Sequence, residues 1–168
     1  WTVGHSPKVA ALAIAAAGAA GAAGADGKTL TIAALLHDIG RTAVINGIWD
    51  KLGPFDAGER ARMHAHTFET ERILARTPLF APAAALASMA HERLDGSGYH
   101  RALRTTALSR SARLLAIADT YAALIQARPH RPAKRAPEAA EIVAAEARRG
   151  ALCRDAVDAV LEVAGHVR

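Results

Sequence analysis

A histidine and an aspartate stand side by side at the end of an apolar stretch. His37 and Asp38 follow the run 31–36 and precede Arg41. Burying a carboxylate costs several kcal/mol unless a cation or hydrogen-bond donors meet it. Arg41 is the nearest cation in sequence, but it lies just past the apolar run, and a divalent metal ion would meet the carboxylate better. The pair therefore indicates half of a metal site.

A second carboxylate, Asp119, lies within an apolar helical pattern. The residues that neighbour it at helical spacing, at 115, 116, 122 and 123, are all apolar. A solvated surface charge is not expected in this setting. From the residues alone two interpretations stay open: Asp119 is the partner of a distant arginine or histidine, or it is a metal ligand.

Three further histidines occupy similar settings. His5 precedes an apolar stretch, His66 shares a helical face with Thr70 and Leu74, and His91 ends another apolar stretch. A single histidine of this kind is more often a hydrogen-bonded core residue than a functional one. Together with the two carboxylates, however, the three histidines favour a metal centre.

Composition predicts one all-helical domain. The chain has 168 residues, 4% of them aromatic, and strand-like alternation is nearly absent. Its formal charge of +5 favours an anionic partner such as a phosphate-bearing ligand, although a solvated basic surface explains the charge equally well. Cys153 is the only cysteine, so no disulfide can form within the chain, and a reducing, cytoplasmic location is expected.

One uncharged segment, 9–25, resembles the apolar region of a signal peptide. Only Val9, Leu12 and Ile14 in it are larger than alanine or glycine. A membrane span needs ~20 strongly apolar residues. The segment is therefore predicted to be a packed helix, and no membrane association is expected.

Periodicity and capping residues predict about seven helices. Asp56 with Glu59 resembles a capping box, Ser109 is a second helix cap, and Gly40 is expected to close the second helix. The predicted helices lie near 6–20, 28–38, 56–76, 82–91, 109–126, 137–148 and 153–163; a loop with a short helix near 44–51 and loops at 94–107 and 128–137 connect them.

The ordered motifs resemble the HD-GYP branch of the HD metal-dependent phosphohydrolase superfamily over nearly the whole chain. The landmarks are His5-Ser6, His37-Asp38-Ile39-Gly40, His66, the string from His91 to Tyr99, the segment 118–124 around Asp119, and Arg128-Pro129-His130-Arg131-Pro132. A bare His-Asp pair is weak evidence. The string from His91 to Tyr99 carries most of the specificity.

This resemblance implies an HD-domain helical bundle with a centre for one or two metal ions. The implied ligands are His5, His37, Asp38 and Asp119 for one metal, and Asp38, as a bridge, with His66 and His91 for the other. Imidazole and carboxylate ligands without thiolate suit Mn, Fe, Zn, Ni or Co.

The implied reaction is hydrolysis of cyclic di-GMP or a related cyclic dinucleotide by attack of a metal-activated hydroxide on phosphorus. Asp38 and Arg41 are the implied catalytic residues. The implied substrate contacts are Arg41, Tyr99, Arg128 and Arg131. A solvated basic loop remains an alternative for Arg128 and Arg131, and packing against the glycine-containing turn remains one for Tyr99.

Four positions depart from the family pattern. Arg41 stands for a lysine, Ala90 for a histidine that would be a ligand, His100 for a proline, and Trp1 for a glutamate that holds a third metal in some members. Arginine binds phosphate well but cannot act as a general acid.

The alternative function is therefore a catalytically weakened sensor domain that binds metal or cyclic dinucleotide and controls an attached or partner module, such as a helix-turn-helix DNA-binding domain.

Residues 1–168 are read as a single domain, expected to be excised from a longer regulatory protein and able to form a homodimer. Glu92 and Asp95 are expected either to orient His91 or to accept hydrogen bonds within their loop. The remaining histidines are expected at the surface or in loops; they are His64, His100, His130 and His166.

Overall fold

A computed structural model of the chain describes residues 2–19, 26–128 and 131–166. Within these ranges the backbone forms α-helices, two 3₁₀ helices and two isolated β-bridges. The α-helices are α1 (Thr2–Ala19), α2 (Asp26–Leu36), α3 (Asn46–Trp49), α4 (Ala57–Leu74), α5 (Ala81–Ser88), α6 (Arg110–Leu124), α7 (Ala136–Arg148) and α8 (Arg154–Val163). The 3₁₀ helices are Ile39–Ala43 and Thr105–Ala107. The prediction of an all-helical bundle is confirmed.

Side-chain caps fix where two of the long helices begin. The Asp56 carboxylate accepts a hydrogen bond from the Glu59 amide at 2.8 Å, and the Glu59 carboxylate accepts one from the Asp56 amide at 2.8 Å. Ser109 Oγ likewise accepts from the Ala112 amide at 3.2 Å. Each cap satisfies a backbone donor that the first turn of a helix cannot pair internally. Both caps were predicted from the sequence, and both are confirmed.

The core is a single apolar cluster built largely from alanine. α1 packs against α2, α6 and α8, and α4 packs against α5 and the first 3₁₀ helix. Leu114, Leu115 and Ile117 of α6 are fully or almost fully buried, as are Val157 and Val160 of α8. Alanine-rich surfaces allow helix axes to approach closely, so the side chains that α1, α2 and α6 direct inward lie near one another.

The prediction that Gly40 closes the second helix is wrong. α2 ends at Leu36, His37 and Asp38 form a turn, and Gly40 lies buried in the first 3₁₀ helix without a positive φ. A Cβ at position 40 would lie 2.0 Å from the His66 carbonyl oxygen and 2.4 Å from the Thr70 amide nitrogen. Glycine is required here because two backbones meet, not because a helix ends.

Other predicted bounds differ from the structure by a few residues. The fifth predicted helix was expected to end near His91, but α5 ends at Ser88 and His91 lies in the turn that follows. The expectations for Trp1 and His130 lie outside the described residues. Among the helices that are described, none has the length and apolar character needed to cross a bilayer.

Candidate metal centre

Six polar side chains from separate parts of the chain converge between the helices. His5 comes from α1, His66 from α4 and Asp119 from α6. His37 and Asp38 come from the turn after α2, and His91 from the turn after α5. All are buried except His91, whose side chain is 17% exposed. These six are the residues named from the sequence as metal ligands, and the fold brings all of them together.

The first ligand group consists of His5, His37 and Asp119. Their ligand atoms all lie within 4.8 Å of one another. Asp119 Oδ1 is 2.8 Å from His5 Nε2 and 3.5 Å from His37 Nε2. Three convergent N and O donors of this kind suit a divalent transition metal.

The second ligand group consists of Asp38, His66 and His91, again with ligand atoms within 4.8 Å of one another. Asp38 Oδ1 is 3.4 Å from His66 Nε2 and 3.9 Å from His91 Nε2. The two groups adjoin, because Asp38 Oδ1 is also 3.9 Å from His37 Nε2 and His91 Nδ1 is 3.2 Å from Asp119 Oδ2. Geometry therefore puts Asp38 in the second group and next to the first; its bridging role stays a prediction.

Hydrogen bonds on the far side of the imidazoles orient three rings and fix the tautomers of two of them, His37 and His66. Nδ1 of His37 lies 2.8 Å from the Ala34 carbonyl, and Nδ1 of His66 contacts the Met63 carbonyl. Since a carbonyl only accepts, Nδ1 donates in both rings and Nε2 carries the lone pair. Nδ1 of His5 is 2.7 Å from Gln126 Oε1. All three rings therefore aim Nε2 at the centre, in the arrangement that metal-binding histidines use.

Two of these nitrogens lack a hydrogen-bond partner among the residues that the structure describes. Nε2 of His37 and Nε2 of His66 are buried and make no hydrogen bond with any residue in the described ranges. An unsatisfied buried acceptor costs about 1–3 kcal/mol, so a fold that keeps two of them at one point needs a further partner there. A divalent cation at each group would satisfy both nitrogens, and the residues present fit it.

The charges of the two carboxylates also favour a cation in the cluster. Burial opposes ionisation of Asp38, but its contacts with His66 and His91 outweigh burial and hold its pKa well below the usual value. The pKa of Asp119 is also held well below the usual value, because nearby His91 and contacts with His37 and His5 outweigh its burial. Burial opposes protonation of His91, yet Asp119 raises its pKa to about 9. The site thus concentrates negative charge that cations must balance.

The loop after His91 is held by its own acidic residues. Glu92 is buried, and its carboxylate accepts hydrogen bonds from the backbone amides of Arg101 at 2.8 Å and Leu103 at 2.9 Å. Asp95 accepts from the amide and hydroxyl of Ser97. Of the two roles open to these carboxylates, the structure shows acceptance of hydrogen bonds within the loop.

Tyr99 lies against the second ligand group. Its ring stacks on His64 at 3.8 Å between centroids, with the planes 4° apart, and on His91 at 5.1 Å. The expectation that His64 is a surface residue is wrong: it is half-buried, because Tyr99, 35 positions away in sequence, covers it. Packing explains Tyr99 directly, and a substrate contact by this residue stays a prediction.

The three arginines predicted to contact substrate differ in their contacts with the ligand groups. Arg41 Nη1 donates to Asp38 Oδ2 at 3.2 Å, so its guanidinium lies at the second ligand group. Arg128 is half-buried; burial lowers its pKa, and the nearby Asp119 carboxylate acts in the opposite direction. Arg131 instead donates from Nη2 to the Ala123 carbonyl at 2.7 Å, which engages part of its guanidinium with α6. Their roles as substrate contacts stay predictions.

Sequence reasoning missed three residues around the centre. Gln126 holds His5, and its position seven residues after Asp119, within the helix predicted for 109–126, was a usable signal. Thr70 Oγ1 donates to the His37 carbonyl at 2.8 Å and accepts from the Gly40 amide at 3.0 Å. Trp49 lies beside Arg41 and His66. No local sequence pattern predicts the contacts of Thr70 or Trp49, because these contacts depend on how α4 packs.

Comparison with known proteins gives the same family as the motifs. A family model described as HD domain matches residues 1–152. The 3'3'-cGAMP-specific phosphodiesterase 3 of Vibrio cholerae is 38% identical over 133 residues, which are 79% of this chain and 29% of that protein. A cyclic di-GMP phosphodiesterase of Thermotoga maritima is 37% identical over 112 residues, 66% of this chain and 30% of that protein. The chain thus spans about three tenths of the length of these curated relatives.

A solved structure shares the fold. Bd1817, an HDG"Y"P protein from Bdellovibrio bacteriovorus, superposes with a TM-score of 0.75 and 21% identity, covering 96% of this chain and 52% of that one. The family recognised from the ordered motifs is confirmed. Since the family model matches most of the sequence, the chain belongs to the HD-domain family.

Proposed function

We propose that this domain is a metal-dependent phosphodiesterase that hydrolyses a cyclic dinucleotide, cyclic di-GMP or 3'3'-cGAMP. The observation that carries the proposal is the pair of adjoining His/Asp ligand groups, with two buried imidazole nitrogens that lack hydrogen bonds among the described residues. The names of the relatives supply the substrate class, since both act on cyclic dinucleotides.

The six ligand residues would hold the metal ions, one at each group. Divalent ions bound there supply Lewis acidity toward a phosphate and make water a better nucleophile at neutral pH. Asp38 would serve both groups, because its Oδ1 faces His37, His66 and His91. The buried surroundings strengthen each of these interactions by excluding water.

Arg41 would bind the phosphodiester. Asp38 holds its guanidinium at the second ligand group, where a planar cation can meet two phosphate oxygens. Arginine stays protonated at every physiological pH, so Arg41 stabilises charge and does not deliver a proton to the leaving ribose oxygen. Arg128 and Tyr99 would complete the surroundings of the substrate, and Arg131 would support the loop that carries Arg128.

A binding-only role is the second candidate. It is favoured by Arg41, which cannot donate a proton, and by Ala90, which offers no ligand atom and is fully buried in the apolar core. In that case the domain would sense a cyclic dinucleotide and regulate an attached module, such as a DNA-binding domain. A cytoplasmic location and a homodimer belong to either version of the proposal.

The test is elemental analysis of protein purified without chelator, together with chromatography of cyclic di-GMP and 3'3'-cGAMP after incubation with Mn²⁺. About two metals per chain, and cleavage abolished by Asp38→Ala but not by Asp155→Ala, at an exposed position of α8, would support the enzyme. One metal or none, with binding but no cleavage, would support the sensor. Protein that neither binds nor cleaves either compound would overturn both.

A further inference from the structure

A cavity of about 600 Å³ opens beside the second ligand group. Asp38 and Arg41 line it on the side of the metal centre, and Asn46, Trp49 and Asp50 line it on the side of α3. Its volume falls in the range of small-ligand sites, roughly 300–1,000 Å³. A substrate whose phosphate lies at Arg41 therefore has room beside α3 for a neighbouring group.

Trp49 forms the aromatic wall of this cavity. The Arg41 guanidinium carbon lies 3.9 Å from the centroid of the indole ring, a stacked cation–π arrangement. The His66 ring meets the indole edge-on, with centroids 5.6 Å apart. A metal ligand and the phosphate-binding arginine thus both contact one tryptophan, which is itself only half-buried.

Stability alone does not account for an indole at this position. Its Nε1–H is buried and makes no hydrogen bond with any residue of the described ranges. An unsatisfied buried donor opposes folding, and an aliphatic or phenyl side chain would fill the same place without that cost. What the indole offers beyond those side chains is a large π surface at a polar cavity.

We propose that the stacked pair of Trp49 and Arg41 is the base subsite of the domain, where one purine of the cyclic dinucleotide stacks. The inference rests on the function proposed above and assigns a binding residue to it. Purines stack on indole rings and on guanidinium planes alike, because every base has a π face. Stacking does not read the base edge, so the pair supports guanine and adenine equally.

The experiment follows binding through the fluorescence of Trp49 itself. The chain has two tryptophans, Trp1 and Trp49, so Trp1→Phe leaves Trp49 as the only indole. We expect cyclic di-GMP and 3'3'-cGAMP to quench its emission, recorded by rapid mixing with metal-loaded protein before turnover. Inorganic phosphate, which has no base, should leave the emission nearly unchanged.

Variants of the full chain then test the energetic role by calorimetry. Trp49→Ala should weaken binding of both dinucleotides by the same factor, about 5- to 150-fold, the equivalent of about 1–3 kcal/mol for one stacked base. Trp49→Phe should restore part of the affinity, without loss of thermal stability because it removes the unsatisfied donor. Leu52→Ala is the matched control: Leu52 is 78% exposed and stands outside the cavity wall.

The outcomes separate the subsite from the proposed function. Unaltered affinity in Trp49→Ala, with the unsubstituted domain binding the dinucleotide, would overturn the subsite and leave the phosphodiesterase intact. Loss of affinity together with loss of bound metal, by elemental analysis, would also overturn it, because Trp49 would then act only by supporting His66. An unsubstituted domain that binds neither dinucleotide would overturn the proposed function and the subsite with it.

Discussion

The two ligand groups of the candidate metal centre are supported by different proportions of helix and turn. In the first group only His37 lies in a turn, whereas His5 and Asp119 lie within the long helices α1 and α6, which pack against each other in the core. In the second group only His66 lies within a helix, whereas Asp38 and His91 lie in turns. His91 is also the one partly exposed ligand of the six.

This difference has a consequence for metal binding. A site held by packed helices and outer hydrogen bonds is fixed before the metal arrives, whereas a site carried by turns must be ordered by it. No hydrogen bond from outside the cluster holds the His91 ring nitrogens in the described residues, because these nitrogens face Asp119 and Asp38. We expect the first group to bind its metal more tightly than the second.

The largest effect should come from substitution of Asp119, because this carboxylate contacts members of both ligand groups. Its Oδ1 faces His5 and His37, and its Oδ2 faces His91. Asp119→Asn should lower cyclic dinucleotide cleavage by about a thousandfold, which corresponds to a barrier higher by about 4 kcal/mol. It should also weaken the binding of both metal ions. Asp155→Asn, at an exposed position of α8, serves as the control. Full retention of either metal by elemental analysis would show that the groups are energetically separate.

The next effect should come from Gly40 and fall mainly on the second group, because the added Cβ meets the backbone of His66. The nearest backbone atom to a Cβ at position 40 would be 2.0 Å away, in α4, so Gly40→Ala must push the Asp38 segment away from His66. We expect destabilisation of about 3 kcal/mol, the upper end for overpacking, which lowers Tm by roughly 6–12 °C in a domain of this size.

Metal analysis of Gly40→Ala shows where the damage falls. We expect the second metal to be lost and the first to be retained. Gly18→Ala is the matched control: Gly18 lies in α1 with no atom within 4 Å of a Cβ added there, so alanine should be neutral or slightly stabilising. Equal loss of both metals in Gly40→Ala would mean that the groups form a single unit.

Sequence reasoning succeeded where the signal is local. The capping box joins Asp56 and Glu59, three positions apart, and the polar positions His66 and Asp119 stand out against the helical periodicity around them. Such patterns are visible because each residue's neighbours in space are also its neighbours in sequence. The ordered series of motifs extended this to the whole ligand set, which the fold brings together.

Sequence reasoning failed where packing of distant segments decides. Gly40 looked like a helix stop, but the reason for glycine lies 26 residues away at the His66 carbonyl. The stack of His64 on Tyr99 and the contact of Arg41 with Trp49 likewise depend on how turns fold over helices. Neither propensity nor spacing carries that information, since the partners share no periodic element.

The smallest effect should come from Gln126 and be confined to the first group. Gln126 Oε1 accepts from His5 Nδ1, whereas His37 and His66 use backbone carbonyls that no substitution removes. Gln126→Ala should therefore loosen one imidazole without removing a ligand, and lower affinity at the first group by about 10- to 100-fold. Gln126→Glu keeps an acceptor and should restore most of it. In competitive chelator titrations, only the more tightly bound metal should become easier to remove. If the more weakly bound metal responds instead, the tighter site is the one formed by Asp38, His66 and His91. That result would mean that the rigidity of the helices does not set metal affinity here.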